Sequence, residues 1–90
     1  MNQKASYKLL LDTKPSKIQK HVNDCLEKMK TGEVEIIARN YAIPKAFSVL
    51  EVLKTNVPNL NHSIKYNNLE ATGPDRRQLL EINISVSFKD

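Results

Sequence analysis

Val34-Glu35-Ile36-Ile37-Ala38-Arg39 runs through Asn40-Tyr41-Ala42 into Ile43-Pro44-Lys45-Ala46-Phe47, and this change of pattern decides the fold. The first six residues put β-branched side chains on both faces, as a strand in the interior of a sheet requires. From Ile43 the period changes. Ile43, Ala46, Phe47, Leu50, Leu53 and Val57 line one face of a helix, with Pro44 in its first turn and Pro58 as its stop. Val49 and Val52 lie off that stripe, so the helix is apolar over more than one face.

Upstream, Ile18, Val22, Cys25, Leu26 and Met29 mark a second amphipathic helix. Pro15 suits its first helical position and Gly32 its C-terminal stop. Before it, residues 7–11 form a short apolar strand that Asp12-Thr13-Lys14-Pro15-Ser16 ends with turn chemistry, and residues 1–6 read as a flexible polar arm. Downstream, residues 60–69 hold a strand with His62, Ile64 and Tyr66 on one side. Thr72-Gly73-Pro74-Asp75-Arg76-Arg77 is a loop, and Leu80, Ile82, Ile84, Val86 and Phe88 then alternate strictly with polar residues.

The expected elements are strand 7–11 (β1), a helix that opens at Pro15 and runs through Met29 (α1), strand 34–39 (β2), helix 43–57 (α2), strand 60–69 (β3) and strand 80–88 (β4). Right-handed crossovers place both helices on one face of a mixed four-stranded sheet, an α/β fold of order β1-α1-β2-α2-β3-β4. The last two strands read as an antiparallel hairpin with a basic tip.

Ninety residues make a single domain, 1–90, with a modest core that oligomerisation would enlarge. With 14 Lys and Arg against 10 Asp and Glu, the net charge of +4 favours polyanionic partners. One cysteine, Cys25, allows no internal disulfide and suits a reducing compartment. No apolar run is long enough for a membrane span, and Met1-Asn2-Gln3-Lys4 leads into no signal-peptide core. The expected setting is intracellular, in the nucleus or the cytoplasm.

The order and spacing of Lys14-Pro15, Val34 to Arg39, Ala42-Ile43-Pro44-Lys45-Ala46, Glu51-Val52-Leu53-Lys54 and Glu81-Ile82-Asn83-Ile84 resemble the Alba family of small basic proteins. The resemblance implies a fold like the C-terminal domain of bacterial translation initiation factor three, a dimer, and binding to DNA, RNA or both. It also admits a role as a subunit of a ribonucleoprotein such as ribonuclease P or its mitochondrial-RNA-processing relative. Carried onto this sequence, the nucleic-acid contacts fall on Lys14, Arg39, Lys45, Arg76 and Arg77. Departures are present. Thr13-Lys14 stands for a lysine pair, Asn40 for a glycine and Tyr41 for a basic residue, and the hairpin is shorter. Fewer cations argue against general DNA packaging and leave room for a more specific RNA role.

Lys14, Lys17 and Lys20 crowd the entrance of α1, where helix N–H groups add to a phosphate seat; a solvated polar face explains the same lysines. Arg39 and Lys45 are expected to face one cleft, with Tyr41 between them either stacking on a base or packing against the domain. Arg76 and Arg77 reach a groove or solubilise a loop tip. Val49, Val52 and Leu53 are the expected dimer contacts, with a second copy or a paralogue.

Catalysis finds no constellation. His21 and His62 lack metal-ligand spacing, Cys25 falls on an apolar stripe, and no Gly-rich phosphate loop is present. The chain is expected to be no enzyme and to take no cofactor, metal or small-molecule substrate. The competing readings are a nucleic-acid-binding module and an interaction subunit that heterodimerises and touches RNA weakly.

Overall fold

A computed structural model describes residues 5–70 and 78–88. The elements are β1 (Ala5–Leu10), α1 (Ile18–Met29), β2 (Gly32–Arg39), a short 3₁₀ turn (Asn40–Ala42), α2 (Ile43–Asn56), β3 (Leu60–Glu70) and β4 (Gln78–Phe88). The four strands form one sheet of order β1-β2-β4-β3. β1 runs parallel to β2, and β4 is antiparallel to both its neighbours, β2 and β3.

The alternation of β4 explains why it occupies the interior. Ile82, Ile84 and Val86 are fully buried and stand opposite Ala38, Ile36 and Val34 of β2, which are buried too. Both helices lie over β2 and β4 and against each other, on the face those six side chains share. Val22, Cys25 and Met29 of α1 and Ala46, Val49, Leu50 and Leu53 of α2 close the core from above. Burying each of the larger of these side chains contributes roughly 1.5–3 kcal/mol. The opposite face of the sheet carries Leu10 and Ile37 beside polar side chains, with Ser6 Oγ donating to Glu35 Oε2 at 3.2 Å and Asn83 Nδ2 to Glu35 Oε1 at 3.1 Å.

Several expectations need correction. Ala5 and Ser6 belong to β1, because Gly32 and Glu33 extend β2 backward and pair with them. Pro15 precedes α1 instead of opening it; Lys17, extended at φ −78° and ψ 124°, is the capping position. Gly32 stops no helix. α1 ends through tight bonds from Lys30 N–H to Glu27 and from Thr31 N–H to Lys28, which need no left-handed residue, so Gly32 starts the next strand.

The expected dimer contacts change most. Val49 and Leu53 are fully buried within the single chain. Val49 and Val52 lie four and seven residues beyond Lys45, on the same edge of α2, and Lys45 reaches the segment that enters α1. A helix that packs on a sheet and beside a second helix has two apolar faces without any partner. Besides Leu10 at the end of β1 and Tyr41, three exposed apolar side chains lie on β3 and β4. Tyr66 is 64% exposed, Leu80 40% and Phe88 41%. Pleat register puts them on the helix-bearing face of β3 and β4, beyond the main helix contacts.

Candidate nucleic-acid interface

The parallel strands β1 and β2 end at the same edge of the sheet, where open α/β sheets place ligands. Two segments leave that edge side by side: residues 11–17, leading to α1, and residues 40–42, leading to α2. β2 stops at Arg39, opposite Glu81, while β3 and β4 stay paired through Asn68↔Leu80, Leu69↔Leu79 and Glu70↔Gln78. Three further pairs at ~3.4 Å per residue carry this ribbon about 10 Å past the end of β2. Arg76 and Arg77 lie outside the described residues, but the strand ends that bracket them belong to this edge.

Lys14 and Lys17 are exposed, as is Lys20 in the first turn of α1, and none forms an ion pair among the described residues. The Lys14 N–H donates to Asp12 Oδ1 at 3.1 Å, an Asx-type turn that shapes the loop. Lys45 behaves differently. Its Nζ donates to the Asp12 carbonyl at 2.8 Å, the Lys14 carbonyl at 2.6 Å and Ser16 Oγ at 2.9 Å. An ammonium has three N–H donors, and all are engaged. The Lys45 side chain is only 15% exposed and turned toward the chain, so it does not present a free cation as expected. A lysine in the first turn of a helix opposes the macrodipole, and these acceptors account for its tolerance there.

Arg39 and Lys45 do not share a cleft. Ala38 points to the helices, so Arg39, next in the strand, points to the opposite face. There its Nε donates to Glu81 Oε2 at 2.6 Å. The side chain stays 55% exposed, and a guanidinium keeps further N–H donors after one bond to a carboxylate. Glu81 is a residue that sequence reading missed; its position directly across from Arg39 becomes visible only with the strand register.

Between them, Asn40 adopts φ 51°, the left-handed backbone that a glycine would otherwise supply. Its Oδ1 also accepts the Leu80 N–H at 3.1 Å, just where β4 has run past the end of β2. Tyr41 follows and is 90% exposed, so the packing alternative for it is excluded. A bare aromatic ring offers a stacking platform.

The nucleophile candidates are placed unfavourably for chemistry. Cys25 is buried, and its thiol is pushed up to about 11, mainly by burial and secondarily by the charge of Asp24. His21 Nε2 lies 2.9 Å from Ser16 Oγ, and His62 is exposed on β3. Among the described residues no three metal-ligating side chains cluster, and no helix is long and apolar enough to cross a membrane.

The Alba family model matches residues 13–72, well over half of the chain. The chain therefore belongs to the Alba family, a nucleic-acid-binding family whose members act as binding proteins rather than enzymes. Among solved structures, Alba from Thermoplasma volcanium superposes with a TM-score of 0.71, covering 89% of this chain and 98% of that one at 20% identity. At that identity the likeness concerns the fold. Compared with curated proteins, the chain has no significant sequence match.

Proposed function

We propose that this protein binds DNA or RNA by phosphate contacts at the edge where β1 and β2 end. Lys14, Lys17 and Arg39 supply charge, Tyr41 supplies a stacking surface, and Arg76 and Arg77 extend the contact from the β3–β4 ribbon. The observation that carries this reading is the set of exposed cations where β1 and β2 end, Lys14 and Lys17 without ion pairs among the described residues and Arg39 still 55% exposed beside Glu81, together with the 90% exposed Tyr41, in a chain of a nucleic-acid-binding family. Phosphate contacts position a partner without reading bases, so selectivity among sequences is weak. The protein works as a dimer, with itself or with a paralogue, through the exposed apolar side chains of β3 and β4, Tyr66, Leu80 and Phe88. Their exposure supports pairing because water-exposed apolar area gains ~25 cal/mol per Å² on burial, before association costs.

Titrating duplex DNA, duplex RNA and single strands at two salt concentrations tests the reading. About five phosphate contacts on duplex DNA give a slope of log affinity against log salt of roughly −4 to −5. Absence of binding to all three would overturn it. One observation favours a second reading, a heterodimerising ribonucleoprotein subunit that touches RNA weakly. Two of the expected cations, Lys45 and Arg39, already have acceptors within the chain. A shallow slope of about −2 or less, together with tight pairing to a paralogue, would support that reading.

A further inference from the structure

Lys45 was expected to be a phosphate ligand, yet its ammonium is spent on the loop that carries Lys14. We infer that Lys45 is a positioning residue: it fastens residues 12–16 to the start of α2 and so presents Lys14 to the nucleic acid. This rests on the reading that Lys14 contacts phosphate.

Three acceptors, one after another along the loop, meet at Nζ. They are the Asp12 carbonyl at 2.8 Å, the Lys14 carbonyl at 2.6 Å and Ser16 Oγ at 2.9 Å, with Asp12 Oδ1 a further 3.9 Å contact. Acceptors from residues 12, 14 and 16 converge on one ammonium across the bend at residues 13 and 14, which turns that side of the loop inward. The Lys14 carbonyl is held against the protein, so its side chain leaves from the outer side. The loop has few other ties. Its remaining described bonds are Lys14 N–H to Asp12 Oδ1 at 3.1 Å and Ser16 Oγ with His21 Nε2 at 2.9 Å. The first lies within the loop, and the second ties its end to α1. Without the ammonium, three acceptors lose a charged donor, and the segment gains freedom that binding must then remove.

The geometry separates the two roles of a lysine experimentally. A phosphate ligand contributes to the salt slope, because its removal leaves one fewer counterion to release. A positioning lysine contributes to affinity but not to the slope. It is also coupled to the residue it positions. Arginine does not substitute for it, since a planar fork cannot direct three donors at a trigonal set of acceptors.

The test is fluorescence anisotropy on a duplex DNA oligonucleotide over a series of salt concentrations. The proteins are wild type, Lys45→Met, Lys45→Arg, Lys14→Ala and the Lys14→Ala/Lys45→Met double variant. Hydrogen exchange at the Lys14 amide is followed in parallel, on the proteins without DNA. Lys45→Met and Lys45→Arg are each expected to lower affinity about tenfold, what fixing the backbone of one residue costs, with the slope unchanged. In the Lys14→Ala background, Lys45→Met is expected to add less than about twofold. The Lys14 amide is expected to exchange faster in both Lys45 variants.

A slope flattened by ~0.9 in Lys45→Met would make Lys45 a phosphate ligand and overturn the inference. Additive losses in the double variant would overturn it as well, by making Lys45 independent of Lys14. Should Lys45→Met fail to fold, Lys45→Arg carries the same comparison. If Lys14→Ala alone changes neither affinity nor slope, the site itself is misplaced; exchange at the Lys14 amide then still reports whether the clamp exists.

Discussion

The side-chain oxygen of Asn40 accepts the backbone N–H of Leu80 at 3.1 Å, joining the turn before α2 to the root of the β3–β4 ribbon. Asn40 thus performs two tasks. It takes the left-handed backbone at φ 51°, and it satisfies a β4 donor that β2 is too short to reach. Glycine does only the first and alanine neither. Asn40→Gly is expected to lower stability by about 1 kcal/mol, the net worth of one hydrogen bond, and Asn40→Ala by about 2–3 kcal/mol. Urea unfolding checks the order; equal losses would mean that the hydrogen bond alone matters.

The buried valine and the exposed aromatics of the apolar surface respond differently to change. Val49→Asp places a charge in the core and is expected to leave the chain unfolded by circular dichroism. Tyr66→Ser with Phe88→Ser is expected to leave it folded and weaken self-association by at least tenfold in sedimentation. A folded, monomeric Val49→Asp protein would restore α2 as the dimer surface.

Tyr41 is nearly free of the domain, so Tyr41→Ala is expected to change unfolding free energy by less than about 0.5 kcal/mol. Stacking on a base is worth roughly 1–3 kcal/mol, so the same variant is expected to lose about tenfold or more on single-stranded RNA. An unchanged single-strand affinity would remove Tyr41 from the interface.

Stability is expected to decline at alkaline pH through Cys25. Its thiol ionises near 9.0 in an unfolded chain and near 11 in the folded one, because burial and then Asp24 disfavour the thiolate. Between those values the unfolded chain holds fewer protons than the folded chain, so rising pH favours unfolding. The stabilisation is complete below the unfolded value and lost by about pH 11, on the order of 2–3 kcal/mol. Cys25→Ala is expected to flatten that part of the pH profile; an unchanged profile would place the loss elsewhere.

Periodicity made both helices and β4 legible, because their apolar stripes follow the repeat of the backbone. The same periodicity misassigned Val49, since a stripe records how much of a helix is covered and not by what. Lys14, Arg39 and Tyr41 were legible as candidates through their places at element ends. The turn inward of Lys45 was not, because its acceptors are two backbone carbonyls and a hydroxyl about thirty residues away. Glu81 depends in the same way on a register between distant strands.

The salt dependence of duplex DNA binding by wild type, Lys14→Ala and the Lys14→Ala/Arg39→Ala double variant tests the proposed surface most directly. The wild-type slope is expected at roughly −4 to −5, flattening by ~0.9 without Lys14 and by ~1.8 without both residues. Unchanged affinity and slope in the two variants would contradict it and place the contact surface on another part of the molecule.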